Sequence, residues 1–150
     1  MSSYRIVALD PSLDTRSFCS GQPALDDYIH RYARQDVRRN LARVFAATED
    51  GNPSCLAGFY TLSAGSVHCE DLPKELSKKL PQYPVPIALV GRLAVAQSLQ
   101  GQGLGSILLA DACQRVVLAS TVLAVVGLVV DAKDERAASF YTHLGFIPLP

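Results

Sequence analysis

The most informative stretch of this 150-residue chain reads Gln100-Gly101-Gln102-Gly103-Leu104-Gly105-Ser106-Ile107-Leu108-Leu109-Ala110. Three glycines at alternate positions precede an apolar helical run, and residues 87–95 before them have the composition of a buried strand. The pattern therefore predicts a strand, a glycine loop and a helix in succession. Free N–H groups at a helix start attract anions, and glycines let those amides approach a phosphate closely. We predict that residues 101–106 hold a pyrophosphate.

Two common phosphate-binding motifs do not fit this loop. No lysine follows the last glycine, which argues against a nucleoside triphosphate loop, and Ser106 stands where a dinucleotide-binding motif has its third glycine. A tight turn without a ligand remains the alternative, because short glycine motifs also occur by chance.

Composition indicates one globular domain over residues 1–150. The 14 basic and 14 acidic residues balance, and no apolar run reaches the roughly 18 residues that span a bilayer. We expect a cytoplasmic protein without a membrane segment. Four cysteines lie far apart without a C-x-x-C pair, so no metal site is expected. Cys113 falls in an apolar helical pattern and is predicted to lie in the core.

Periodicity along the chain predicts an α/β (α+β) fold, with a mixed central sheet flanked by helices. Predicted strands cover residues 4–9, 44–48, 56–67, 87–95 and 122–130, and a last strand begins at Phe146. Residues 122–130 are almost wholly apolar, which is typical of a central strand covered on both faces. Predicted helices start near Ala24 and after the glycine loop, where the helix ends near Ala119, and shorter ones cover residues 72–80 and 135–144.

A second motif follows near the C-terminus. Asp134-x-x-Ala137-x-x-x-Tyr141 precedes Gly145-Phe146, and together with Gln100-x-x-Gly103-x-Gly105 it resembles the GNAT superfamily of N-acetyltransferases. The resemblance implies a single domain with splayed fourth and fifth strands that binds acetyl-coenzyme A without a metal. Members usually add one more strand after the Gly-Phe strand, so we expect either a truncated chain or a partner that completes the sheet edge. Asp134 stands where many members carry asparagine.

The resemblance also implies which residues meet the cosubstrate. The expected contacts are Leu93, Ala94, Val95, Gln100, Gly101, Gln102, Gly103, Leu104, Gly105, Ser106, Asp134, Ala137 and Phe140.

The resemblance further implies catalytic roles for Val95 and Tyr141. The N–H of Val95 is the candidate for polarising the thioester carbonyl, and the Tyr141 phenol is the candidate for protonating the departing thiolate. No strong general base is evident in the sequence. An α-amine with a pKa of roughly 8 needs less help than a lysine amine near 10.4, so the chemistry favours an α-amine acceptor.

Five arginines crowd a short stretch of the N-terminal half. They are Arg31, Arg34, Arg38, Arg39 and Arg43. At 100° per residue the first three share one helix face and the other two flank it, which predicts a basic stripe that binds RNA. A solvated helix face is the alternative.

Further motifs narrow the resemblance. Phe18-Cys19-Ser20-Gly21, Leu25-Asp26-Asp27-Tyr28-Ile29 and Gly91-Arg92-Leu93-Ala94-Val95 resemble the acetyltransferase toxins of bacterial type II toxin–antitoxin systems. That subgroup acetylates the α-amine of aminoacyl-tRNA to block translation. The resemblance implies a ribbon-helix-helix antitoxin as partner and a homodimer. Two alternatives stay open: an acetyltransferase for a small amine such as a polyamine, antibiotic or amino acid, and a non-catalytic module that senses acetyl-coenzyme A.

Overall fold

The computed structural model describes residues 3–149, in which one mixed sheet carries helices on its faces. The strands are β1 (Tyr4–Ala8), β2 (Arg43–Glu49), β3 (Gly58–Val67), β4 (Val85–Val90), β5 (Leu93–Val95) and β6 (Leu128–Val130). The sheet order is β1-β2-β3-β4-β6, and β5 pairs with β3 beside β4. All pairings are antiparallel except that of β4 with β6. The predicted mixed α/β architecture is confirmed.

The helices connect these strands in the predicted order. They are α1 (Pro23–Asp27), α2 (Ala33–Arg38), α3 (Lys74–Ser77), α4 (Leu104–Ala119) and α5 (Glu135–His143). A π-helical turn at Tyr28–Tyr32 joins α1 to α2, and short 3-10 turns lie at Cys69–Asp71 and Gln97–Leu99. The long helix predicted to end near Ala119 is confirmed, whereas the predicted helix at residues 72–80 shrinks to the four residues of α3.

The core lies on both faces of the sheet, and neighbouring residues of β3 serve the two sides. Phe59 packs on the face covered by α1 and the π-helical turn, while Tyr60 packs on the face covered by α4, and both are fully buried. The Tyr60 hydroxyl donates a 2.6 Å hydrogen bond to Asp111, which also forms a 2.8 Å ion pair with Arg115. The bond between Tyr60 and Asp111 ties α4 to β3.

The predicted strand at residues 87–95 is interrupted. Gly91 and Arg92 separate β4 from β5, although both strands pair with β3. Thr61 donates its N–H to the Arg92 carbonyl at 3.0 Å, and its hydroxyl accepts from the Arg92 N–H at 3.1 Å. Three residues, 90–92, oppose two residues of β3, which is the geometry of a β-bulge. Alternating hydrophobicity does not reveal such an insertion, because the flanking residues remain apolar.

Other predictions at the C-terminal side were wrong. Only Leu128–Val130 of the predicted central strand at 122–130 is β-structure; it pairs with β4 alone, and Val122 is 88% exposed. A central strand needs two neighbours, and no strand of residues 3–149 supplies the second. Phe146 does not begin a strand, and Cys113 is exposed, because it lies on the outer face of α4.

Residues 3–149 contain neither a membrane-spanning helix nor a metal-binding cluster. No helix within residues 3–149 has both the length and the apolar character needed to cross a membrane. Across the same residues, no three His, Cys, Asp or Glu side chains are grouped closely enough to hold a metal ion.

Candidate active site

A cavity of about 460 Å³ opens between β5, the start of α4 and α5. We call it the glycine-loop cavity. The predicted residues that line it are Leu93, Ala94, Val95, Gln100, Gly101, Gly103, Leu104, Gly105, Ser106, Asp134, Ala137, Phe140 and Tyr141. Gln102 is the predicted contact outside this lining. Residues far apart in sequence are thus brought to one site.

The glycine loop owes its shape to backbone conformation. Gly101 has φ 79° and Gly103 has φ 90°, in the left-handed region that residues with a Cβ rarely adopt. Gly103 caps α4 without a side-chain hydrogen bond, so no side chain of the cap satisfies the first N–H groups of the helix. Gly105 permits close packing, since a Cβ built there would lie 3.1 Å from Cζ of Phe140. The loop therefore offers backbone donors beside the cavity.

The outer edge of β5 faces the same cavity. The hydrogen bond from Thr61 N–H to the Arg92 carbonyl (3.0 Å) and the one from Ala96 N–H to the Ala57 carbonyl (2.8 Å) face β3. Because bonding direction alternates along an antiparallel strand, the backbone groups of Leu93 and Val95 point away from β3. No strand within residues 3–149 pairs with that edge, since β6 bonds only to β4. The edge can accept an added strand-like ligand.

Gln100 contacts the protein itself. Its side-chain amide donates to the Ser20 carbonyl at 2.7 Å and to the Val95 carbonyl at 3.0 Å. These bonds tie the loop before α1 to β5 across the cavity. Gly21 (φ 86°) completes this junction, because a Cβ there would approach the Gln97 amide nitrogen to 2.7 Å. Gln100 thus shapes the cavity wall.

Sequence reasoning missed several residues of the lining. They are Ser20, Gly21, Gln22, Leu25, Gln97, Leu99, Asp131, Lys133 and Arg136. Three of them, Ser20, Gly21 and Leu25, belong to the N-terminal motif that resembles the toxins. That motif could have indicated them, but the cofactor site was predicted from the glycine loop and the C-terminal motif alone. The others lie in loops or at a helix start, where spacing carries no information about a distant partner.

α5 supplies the remaining wall and the one phenol. The Asp134 carboxylate accepts the Ala137 N–H at 2.8 Å and so caps the helix. Tyr141 is 6% exposed. Burial, with the nearby Asp131 carboxylate as the smaller cause, raises the pKa of Tyr141 to about 12. The phenol is therefore a neutral proton donor at physiological pH.

The five predicted RNA-binding arginines, which we call the arginine segment, are arranged differently from the expected stripe. The π-helical turn changes the helical register between Arg31 and Arg34, so the rule of 100° per residue does not hold there. Arg34 donates to the Thr15 hydroxyl at 3.1 Å and to the Leu13 carbonyl at 2.9 Å. Arg31 pairs with Asp27 at 3.0 Å.

The rest of the arginine segment lies at and beyond the end of α2. Arg38 is the last residue of α2, Arg39 follows it, and Arg43 begins β2, where it donates to Asn40 at 2.6 Å. None of the five arginines lines the glycine-loop cavity of the described chain.

Known proteins share this architecture. The profile of the acetyltransferase (GNAT) domain family matches residues 40–148. A tRNA-acetylating toxin of Mycobacterium tuberculosis is 40% identical over 133 residues, which cover 89% of this chain and 78% of that protein. A structure of AtaT complexed with acetyl-methionyl-tRNAfMet superposes with a TM-score of 0.91 at 34% identity, covering 99% of this chain and 89% of that one.

A further solved structure shows such a protein with two partners. A Tyr-to-Phe variant of the toxin AtaT, bound to the C-terminus of the antitoxin AtaR and acetyl-CoA, has a TM-score of 0.82 at 30% identity. That comparison covers 99% of this chain and 87% of the other. Family profile, relatives and cavity geometry agree, and this chain belongs to the GNAT acetyltransferase family.

Proposed function

We propose that this chain, as a single domain, is an acetyl-coenzyme A-dependent toxin that acetylates the α-amine of aminoacyl-tRNA and so blocks translation. The observation that carries the proposal is that the free edge of β5, the glycine loop and the buried Tyr141 border one cavity. The relative at 40% identity, a tRNA-acetylating toxin, supports the same reaction.

The cavity fits the donor part by part. Backbone N–H groups of residues 101–106 suit a diphosphate, because a helix start concentrates unsatisfied donors and positive potential. The outward backbone groups of Leu93 and Val95 suit the amides of the pantetheine arm, which would lie along β5 as an added strand. The relative AtaT was solved with acetyl-CoA, which supports this fit.

The chemistry is acyl transfer from a thioester to an amine. The amine nitrogen attacks the carbonyl carbon, the C–S bond breaks, and the thiolate accepts a proton while the amine loses one. The N–H of Val95 stabilises the negative charge that develops on the carbonyl oxygen. Tyr141 donates the proton to the thiolate, since a phenol is protonated at physiological pH and carries an O–H donor.

The acceptor follows from the carboxylates at the cavity. Asp131 is paired with Lys133 at 3.2 Å, and Asp134 caps α5. Both carboxylates are engaged within the chain, which favours an acceptor that supplies a neutral amine itself. An α-amine meets this condition, and an ester at the adjacent carboxyl lowers its pKa further.

The arginine segment is the proposed RNA contact. Arg38 and Arg39 at the end of α2 are its main candidates, because both are exposed, whereas Arg34 is half-buried and holds two acceptors within the chain. We further propose a homodimer in the cytoplasm, regulated by a ribbon-helix-helix antitoxin. The AtaT relative bound to the C-terminus of its antitoxin AtaR supports a partner of this kind.

The reaction is tested by incubating the protein with radiolabelled acetyl-coenzyme A and total charged tRNA. We expect label in an alkali-labile ester on the tRNA, and no label on deacylated tRNA or on tRNA whose amino acid is already N-acetylated. Label on free polyamines, antibiotics or amino acids, with charged tRNA unmodified, would contradict the proposed acceptor. Donor binding without transfer to any amine would instead show a sensing module.

A further inference from the structure

Two cationic side chains line the glycine-loop cavity, and the proposed reaction gives neither a role. Lys133 precedes α5 and Arg136 lies in its first turn, and both border the cavity together with Gly101 and Ser106. They are the only Lys or Arg side chains among the described residues of this lining.

The position of Arg136 follows from its neighbour on α5. Arg136 and Phe140 are four residues apart, so their side chains occupy the same helix face one turn apart. Phe140 packs against Gly105 in the first turn of α4, where a built Cβ would be 3.1 Å from its ring. Arg136 therefore lies about 6 Å nearer the N-terminus of α5, on the side that faces α4.

The carboxylates in the lining do not neutralise Arg136. Asp131 forms its 3.2 Å ion pair with Lys133, and Asp134 accepts the Ala137 N–H at 2.8 Å. Arg136 forms no ion pair with any carboxylate of residues 3–149. A guanidinium with unused donors therefore borders the cavity beside a loop whose amides are matched to a diphosphate.

The donor carries a third phosphate that those amides do not serve. Coenzyme A bears a phosphomonoester on the 3′ oxygen of its ribose, and such a group carries a charge of about −1.5 to −2 at pH 7. A planar guanidinium binds a phosphate through two parallel hydrogen bonds. We propose that Arg136, with Lys133 beside it, binds the 3′-phosphate and thereby selects coenzyme A over its 3′-dephospho form. This inference rests on the proposed function of the cavity.

The test is a cycle that changes the ligand and the protein in turn. The dissociation constants of coenzyme A and 3′-dephospho-coenzyme A are measured by calorimetry for the wild type, Arg136→Gln and Arg136→Lys. Arg5→Gln is the matched control, because Arg5 is an exposed arginine of β1 outside the cavity. We expect the wild type and Arg5→Gln to bind coenzyme A about tenfold more tightly than the 3′-dephospho form, because one charge-assisted contact changes a dissociation constant by about this factor. Arg136→Gln should bind both ligands nearly equally, and Arg136→Lys should keep part of the preference.

Each other result has one meaning. A wild type that binds coenzyme A but does not distinguish the two ligands overturns the inference and leaves the proposed function intact. An undiminished preference in Arg136→Gln, or equal weakening of both ligands, overturns it as well. Arg136→Gln that raises only the KM for charged tRNA would assign the side chain to an RNA phosphate and also overturn it. No binding of either ligand by folded wild type would refute the proposed function itself.

Discussion

The glycine-loop cavity and the arginine segment were both predicted from short sequence patterns. The structure agrees with the prediction in the cavity much more closely than in the arginine segment. In the cavity, twelve of the thirteen expected cosubstrate contacts and Tyr141 line one site. In the arginine segment, a π-helical turn breaks the expected face, and Arg34 and Arg31 have partners within the chain. A glycine pattern indicates where the backbone takes a conformation closed to other residues, whereas a row of charges does not specify what each charge meets.

The largest expected effect concerns the phenol of the glycine-loop cavity. Tyr141→Phe should lower kcat by roughly a hundredfold or more, the usual contribution of a general acid, with the dissociation constant for acetyl-coenzyme A unchanged. Stopped assays on charged tRNA and calorimetry give the two numbers. Unchanged turnover would remove Tyr141 from the reaction.

The same phenol makes a prediction about pH. A raised pKa means that Tyr141 keeps its proton to higher pH, so activity should rise as the acceptor amine deprotonates and should not fall near pH 10, where an ordinary tyrosine ionises. With the pKa of Tyr141 raised to about 12, no loss due to its ionisation should appear in the pH range in which the alkali-labile aminoacyl ester persists. A descending limb of kcat centred near pH 10 that disappears in Tyr141→Phe would contradict the environment described for this side chain.

A second change tests whether backbone conformation makes the cavity. Gly103→Ala forces a side chain into φ 90°, at a cost of roughly 1–2 kcal/mol, so affinity for acetyl-coenzyme A should fall about tenfold. Gly51→Ala is the matched control, since Gly51 lies in a surface turn, has no positive φ, and a Cβ there meets nothing within 4 Å. If both variants bind alike, the loop conformation is not what holds the donor.

A third change sharpens the role of the arginine segment. Arg38→Glu with Arg39→Glu should raise the KM for charged tRNA about fivefold at low salt, with a smaller effect at higher salt, because counterion release drives phosphate binding. Acetyl-coenzyme A affinity should not change, because both residues lie outside the cavity. The exposed Arg5→Glu serves as the charge control. Equal KM values for the double variant and the control across salt concentrations would leave the segment a solvated surface.

A comparison of stability separates Arg34 from Arg31. Arg34→Ala should lower the free energy of unfolding by about 1–3 kcal/mol, because the Leu13 carbonyl and the Thr15 hydroxyl lose a charged donor. Arg31→Ala should cost about 0.5 kcal/mol or less, since its pair with Asp27 is solvent-exposed. Urea denaturation measures both. A larger loss for Arg31→Ala than for Arg34→Ala would reverse the assigned roles.

Local features of the fold were predictable from the sequence, whereas features that depend on distant partners were not. The order of strand, loop and helix was predictable because Gly101 and Gly103 can adopt the left-handed φ of a tight loop, which residues with a Cβ rarely do. The β-bulge at Arg92 and the bond from Gln100 to Ser20 were not, because they depend on partners 31 and 80 residues away along the chain. The predicted strand at 122–130 failed for the same reason: hydrophobicity marks residues that favour burial and says nothing about whether a neighbouring strand is there.

The open edge of β5 has a consequence for how such a protein diverges over time. The groups that would meet the donor there are main-chain atoms of Leu93 and Val95. At position 95 any residue other than proline offers the same N–H and carbonyl groups. Lineages can therefore exchange these side chains for others of similar bulk without losing the site. What is inherited at this position is a backbone path, and a comparison of residue identities alone would underestimate how well it is preserved.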